Sequence, residues 1–192
     1  MTVISVIMGS TREGRFSEKP ARWILQHLKK RDGVDARLLD LRDFPMPFFD
    51  QPVPPSTPGK QPYADENVRK WTAAIAESDG FVFVTPEYNY SLPPALVNAL
   101  DYLYLEWNYK AAGFVGYGGV SGGTRSIQMS RLLVTSLKMM PLPEGVFIPF
   151  VAKLVNAEGS FDPGTTQDEA VKRMLDELLR WTEALKSLRA PA

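Results

Sequence analysis

Three short stretches of this chain hold the side chains that could do chemistry. The first is Gly9-Ser10-Thr11-Arg12-Glu13-Gly14-Arg15-Phe16-Ser17, which follows the apolar run Val3-Ile4-Ser5-Val6-Ile7-Met8. A strand that enters a helix through such a loop offers unpaired backbone N–H groups and the positive end of a helix dipole, which together attract an anion. Arg12 and Arg15 add planar cationic forks, and Ser10, Thr11 and Ser17 add hydroxyls, so a phosphate ester is the ligand expected here. A plain glycine-rich turn with solvated arginines stays open. The glycines at 9 and 14 do not spell the dinucleotide fingerprint, and no Gly-Lys-Ser/Thr P-loop occurs.

The second stretch, Pro86-Glu87-Tyr88-Asn89-Tyr90-Ser91, offers backbone amides, a carboxamide and two phenols suited to lie along a flat ring. The third, Gly118-Gly119-Val120-Ser121-Gly122-Gly123, has four glycines in six residues. Such a backbone can approach a ligand closely, although the glycines could equally serve only the turn. A phosphate at one end and a planar heteroaromatic at the other describe flavin mononucleotide (FMN). Glu87 is the one carboxylate nearby; it could relay a proton, or it could be an exposed residue at a strand end.

The absences narrow the chemistry further. There is no cysteine, so thiolate nucleophiles and thiolate metal sites are excluded. The single histidine, His27, lies beside Lys29, Lys30 and Arg31, where a solvated or dipole-facing side chain is expected. No Ser-His-Asp set can form and no His/Asp/Glu cluster has metal-ligand spacing, so no catalytic side chain and no metal are expected. A chain without acid–base equipment suits a cofactor that carries the hard chemistry. Lys plus Arg and Asp plus Glu are equal at 22 each, which points away from nucleic acid and polybasic membrane contact. No apolar run reaches the roughly 18 residues of a membrane span, and a cytoplasmic location is expected.

The elements that must position these loops follow from periodicity. Strands are expected at about 2–8, 34–41, 80–85, 113–117 and 145–150, and helices at about 17–30, 65–78, 93–106, 124–139 and 167–188. Ser17 is the expected N-cap of the first helix. Val171, Met174, Leu175, Leu178, Trp181 and Leu185 form the expected inward stripe of the last. Five strands alternating with five helices call for a parallel sheet covered on both faces, in one domain spanning residues 1–192. Ligands of such sheets bind outside the C-terminal strand ends, where all three loops emerge. Residues 42–65 carry seven prolines together with Phe44, Met46, Phe48 and Phe49, and read either as a loop that closes the core or as a wall of the site.

Gly9-Ser10-Thr11-Arg12, Pro86-Glu87-Tyr88-Asn89, Asn98-Ala99-Leu100-Asp101-Tyr102 and Tyr117-Gly118-Gly119-Val120-Ser121-Gly122-Gly123 together resemble the NADPH-dependent FMN reductase family. The likeness runs in order over nearly the whole chain. It implies a flavodoxin-like α/β sandwich with a five-stranded parallel sheet in the order 2-1-3-4-5. It also implies FMN as cofactor, NADPH or NADH as co-substrate, and a flavin, quinone, azo or oxyanion acceptor. By position, Ser10, Arg12 and Ser17 would hold the FMN phosphate, with Arg15 and Phe16 lining it. Pro86, Glu87, Tyr88 and Asn89 would border the flavin, and Gly118, Gly119, Ser121 and Gly122 would edge its ring. Tyr90 departs from the glycine that many relatives place after the asparagine. A non-enzymatic FMN electron carrier or an FMN-binding sensor would share most of these features.

Helices three and four are apolar nearly all round, through Ala95, Leu96, Val97, Leu100 and Leu103 in one and Met129, Leu132, Leu133 and Leu137 in the other. One sheet covers only one side of a helix. Self-association through these two helices, as a homodimer or dimer of dimers, is therefore expected, with a deeply buried central helix as the alternative.

Overall fold

The computed structural model describes residues 1–58 and 63–189; Pro62 of the proline-rich segment lies outside the described residues. Five strands, β1 (Thr2–Met8), β2 (Val34–Asp40), β3 (Gly80–Pro86), β4 (Ala111–Tyr117) and β5 (Met140–Ile148), form one sheet in the order β2-β1-β3-β4-β5. Every pairing is parallel. Five helices connect and cover them: α1 (Glu18–Lys29), α2 (Glu66–Glu77), α3 (Pro94–Asp101), α4 (Thr124–Ser136) and α5 (Thr165–Leu185). This is the flavodoxin-like arrangement, and the strand order reverses between β1 and β3.

Alternation along the strands divides the core in two. Ile7, Phe81, Phe83 and Phe114 face α2, α3 and α4, where they meet Trp71, Leu96, Trp107 and Ile127. Ile4, Val6, Val82, Val84 and Val115 face α1 and α5, where they meet Ile24, Leu28, Met174 and Leu178. The central strands β3 and β4 are buried along their whole length, as expected of parallel strands covered on both faces.

Several boundaries differ from the periodicity reading. β5 starts at Met140 rather than near 145, because it is an edge strand and tolerates Pro141 and Pro143 on its unpaired side. β4 likewise begins two residues earlier than the apolar run suggests, at Ala111. α3 stops at Asp101, and the apolar residues beyond it continue into a separate short 3-10 turn at Leu105–Trp107. α4 ends at Ser136, just before Lys138 takes a left-handed φ of 56°.

Some side chains also differ. Ser17 sits at the N-cap of α1 with helical backbone angles, and its hydroxyl makes no capping bond. In α5 Trp181 is 38% exposed, and Thr182 takes the inward place against Gly80, whose missing Cβ leaves room for it. His27, in the last turn of α1, is only partly solvated: its Nε2 lies 3.2 Å from Asp168 Oδ1 and its ring meets Trp23 edge-on. Asp168 also accepts from Trp23 Nε1 at 3.2 Å, so this small cluster ties α1 to α5.

The proline-rich segment closes the core over α3. Phe44 packs on Trp71 and Phe49 on Tyr102. The Pro47 carbonyl accepts from Asn98 Nδ2 at 2.8 Å and from the Tyr102 hydroxyl at 3.0 Å. Much of the apolar surface of α3 is thereby covered within the chain, whereas α4 leaves Met129 and Leu132 44% and 70% exposed.

Candidate functional site

The loop after β1 is held from behind by two guanidiniums. Arg15, its side chain 3% exposed, makes a two-pronged ion pair with Asp40, the last residue of β2. It also reaches Glu18 Oε1 at 3.0 Å and donates from Nη1 to the Ser10 carbonyl at 3.0 Å. Arg42 donates from Nε to the Thr11 carbonyl at 3.1 Å and from Nη2 to the Arg12 carbonyl at 2.6 Å. Three consecutive carbonyls are therefore captured by cations supplied or anchored through the end of β2. Burial pushes the Asp40 carboxyl up, but hydrogen bonds from Arg15 and the Arg42 N–H outweigh it and leave Asp40 below the usual carboxylate range. The Asp40 hydrogen bond, against the opposing effect of burial, raises the Arg15 guanidinium above its ordinary value.

Fixing the carbonyls on one side leaves donors on the other. Among the described residues the N–H groups of Thr11, Glu13, Gly14, Phe16 and Ser17 meet no protein acceptor, and Ser17 Oγ is buried without a hydrogen bond. A buried hydroxyl lacking a partner at a helix N-terminus is costly unless something accepts from it. Phe16 packs against Tyr117 and Phe161, closing one side. Burial raises the Tyr117 phenol, so Tyr117 stays a neutral donor. Arg12 is exposed, with its guanidinium 6.0 Å from the Tyr88 ring centre.

The loop after β3 makes a two-residue reversal. Tyr88 and Ser91 exchange N–H···O bonds of 2.9 Å, and Asn89 and Tyr90 both take positive φ, 48° and 68°. That pattern belongs to a type I′ turn, whose second central residue favours glycine. Tyr90 is therefore strained where a glycine would not be, and its exposed ring lies 3.9 Å beneath the Arg125 guanidinium.

These loops are bonded to one another. Ser10 Oγ and Tyr88 Oη are 2.8 Å apart, joining the first to the second. Glu87 accepts from Ser121 Oγ at 3.0 Å and from Arg125 N–H at 3.1 Å, and pairs with the Arg125 side chain, joining the second to the third. Its side chain is only 6% exposed, so the exposed reading of Glu87 is corrected. Burial raises its carboxyl, but the Arg125 and Ser121 donors more than offset this and hold it below the usual range, which leaves it unsuited to donating a proton near neutrality. The third loop leans on the chain after β5: Gly119 and Gly118 carbonyls accept from Phe150 and Val151 N–H at 2.9 and 3.1 Å. A Cβ on Gly123 would lie 2.5 Å from Tyr117 N, whereas one on Gly119 would meet nothing within 4 Å. The turn itself thus requires Gly123, while Gly119 faces open space.

Beside these loops lies a cleft of about 610 Å³, bounded by Thr11 and Arg12, by Leu41, Arg42, Phe44, Pro45, Met46 and Phe48, and by Tyr88 and the start of α3. The proline-rich segment therefore closes the core with one side and lines this cleft with the other. Asp40, Arg42 and Arg125 were not singled out by the sequence. Arg42 opens the proline-rich segment and Arg125 follows the glycine block, but only the folded contacts show what each of them touches.

A parallel sheet of this order, with its three C-terminal loops joined around an anion-binding turn, defines a flavodoxin-like nucleotide-binding protein. The chain matches the NADPH-dependent FMN reductase model over residues 2–153 and belongs to that family. It is 33% identical over 189 residues to the NAD(P)H-dependent FMN reductase ntnL of Nectria sp, covering 97% of this chain and 90% of that one. It is 30% identical to the NAD(P)H:quinone oxidoreductase of Solanum tuberosum, covering 95% and 91%. Among solved structures it resembles FerB, a flavoenzyme NAD(P)H:(acceptor) oxidoreductase from Paracoccus denitrificans, with TM-score 0.69, 25% identity and coverage of 96% and 98%. The protein is an FMN-dependent enzyme that uses NAD(P)H. The unpaired N–H row and the orphaned Ser17 hydroxyl fit the phosphate of that cofactor.

Proposed function

We propose that this domain takes hydride from NADPH or NADH and reduces a quinone, flavin, azo compound or oxyanion in a ping-pong cycle. Bound FMN supplies the hydride chemistry; the chain binds, orients and excludes water. Ser10, Arg12, Ser17 and the row of free N–H groups hold the phosphate, with Phe16 beside it. Arg15 serves that loop from behind, because its donors are taken by Asp40, Glu18 and the Ser10 carbonyl. Pro86, Glu87, Tyr88 and Asn89 border the ring, and Gly118, Gly119, Ser121 and Gly122 edge it. The observation that carries this reading is the orphaned Ser17 hydroxyl at the head of α1, in a loop hydrogen-bonded to the ring-side loop through Ser10 and Tyr88.

Self-association is part of the same reading. The uncovered face of α4, with Met129 and Leu132, is the natural contact of a homodimer or dimer of dimers, with α3 as the second helix of the contact. A cytoplasmic location belongs to the same reading. The test is anaerobic addition of NADPH to the FMN-loaded protein, followed by initial rates over a grid of NADPH and quinone concentrations. Rapid loss of the visible flavin absorbance and parallel double-reciprocal lines are expected. A flavin that NADPH does not bleach would overturn the reductase cycle, and intersecting lines would overturn the ping-pong order.

A further inference from the structure

The cleft beside Tyr88 has an uneven lining. Leu41, Phe44, Met46, Phe48, Pro93 and Ala95 give it apolar walls. Among the described residues its only charged lining groups are the two guanidiniums of Arg12 and Arg42, in a chain whose overall charge is zero. Arg42 spends Nε and Nη2 on the Thr11 and Arg12 carbonyls, and among the described residues Nη1 meets no acceptor. Asn98, the lining carboxamide, is already committed to Pro47 O and Phe49 N–H. Few groups are left to satisfy the hydroxyls of a ribose. The volume, about 610 Å³, lies within the range of small-molecule sites.

We infer that this cleft takes the electron acceptor, and that Arg42 selects flat aromatic acceptors carrying a carboxylate or sulfonate. The apolar walls hold the ring system, and Nη1 of Arg42, the cation left once Arg12 is taken by the FMN phosphate, meets the acid group. The inference rests on the reductase reading. For a quinone the overall reaction balances as quinone plus NAD(P)H plus one proton giving hydroquinone plus NAD(P)⁺.

The test compares 1,4-naphthoquinone-2-sulfonate with unsubstituted 1,4-naphthoquinone at saturating NADPH, in the FMN-loaded protein and in Arg42→Gln. The amide of the variant can still donate to a loop carbonyl but carries no charge. The native protein is expected to show a KM about tenfold lower for the sulfonate, and the variant a ratio near one. Flavin content and the rate of bleaching by NADPH are read alongside. Should the variant fail to hold FMN, the native protein alone decides. The sulfonate KM should rise several-fold between about 25 and 250 mM salt while the neutral quinone KM stays level. Equal salt response of the two quinones, or an unchanged preference in Arg42→Gln, would overturn the inference while leaving NADPH bleaching intact. A change in the relative KM of NADPH and NADH in place of the acceptor preference would overturn it too, assigning the cleft to the dinucleotide. Absence of bleaching in the native protein would instead refute the reductase reading itself.

Discussion

Asp40→Asn tests whether the phosphate loop is held from behind by charge. The Arg15 side chain is 3% exposed and that of Asp40 16%, so the pair is largely withdrawn from water. Removing one member of a buried pair costs about 3–5 kcal/mol when the other is left alone. Arg15 keeps Glu18 and the Ser10 carbonyl, and asparagine keeps an acceptor for Arg42 N–H, so about 2 kcal/mol is expected here. For a chain of this size that corresponds to a loss of about 4–8 °C in melting temperature. The pH dependence has a definite sign. Asp40 is depressed in the folded state, so its contribution is complete above the unfolded carboxylate value of about 4 and disappears as pH falls through the folded value.

The assay is thermal melting of FMN-free native and variant protein across about pH 7 to pH 2, followed by FMN titration at neutral pH. The gap in melting temperature should be full near neutrality and shrink steadily below about pH 4. FMN should bind the variant about tenfold more weakly, because an Arg15 without its carboxylate partner holds the Ser10 carbonyl less firmly. A gap under 1 °C (within about half a kcal/mol), or one that stays constant into acid, would refute the claim that carboxylate charge orders this loop.

Arg12→Ala, which removes an exposed cation with no competing protein partner, should weaken FMN binding about ten- to a hundred-fold in a fluorescence titration, with little change in melting temperature. Gly123→Ala should cost about 3 kcal/mol or more, since its Cβ meets the Tyr117 backbone at 2.5 Å and its φ is 83°. Gly119→Ala should melt within about 1 °C of the native protein yet bind FMN less tightly, which separates ligand contact from turn chemistry. Lys110 is buried and lowered to about 8 by desolvation, with Nζ donating to the Ile75 and Ala76 carbonyls at the end of α2. Between about pH 8 and 10.4 the unfolded chain holds this proton more firmly than the folded one, so stability gains from this group as pH rises. Chemical denaturation should show native protein gaining up to about 3 kcal/mol on Lys110→Met across that interval, and a constant gap would refute the assignment.

The strands and their order of loops were legible because buried parallel strands leave apolar runs that nothing else explains, as β1 and β3 show. Errors fell where a local rule met a distant partner. The apolar run places β5 at about 145–150; the strand starts at Met140 because its edge position accepts Pro141 and Pro143. Trp181 read as inward because it falls on the apolar stripe of the last helix, but a sheet glycine at position 80 admits Thr182 in its place. The phosphate loop shows the same divide within one site. Its two arginines are three residues apart and chemically alike, yet Arg15 is consumed by Asp40 while Arg12 stays free. Glu87 misled for the same reason, its partner Arg125 lying 38 residues downstream. Composition near a site announces which groups are available to a ligand. Which of them are already spoken for is decided by contacts that close over tens of residues, and in this molecule those contacts separate the cations that order a loop from the cations left to meet a substrate.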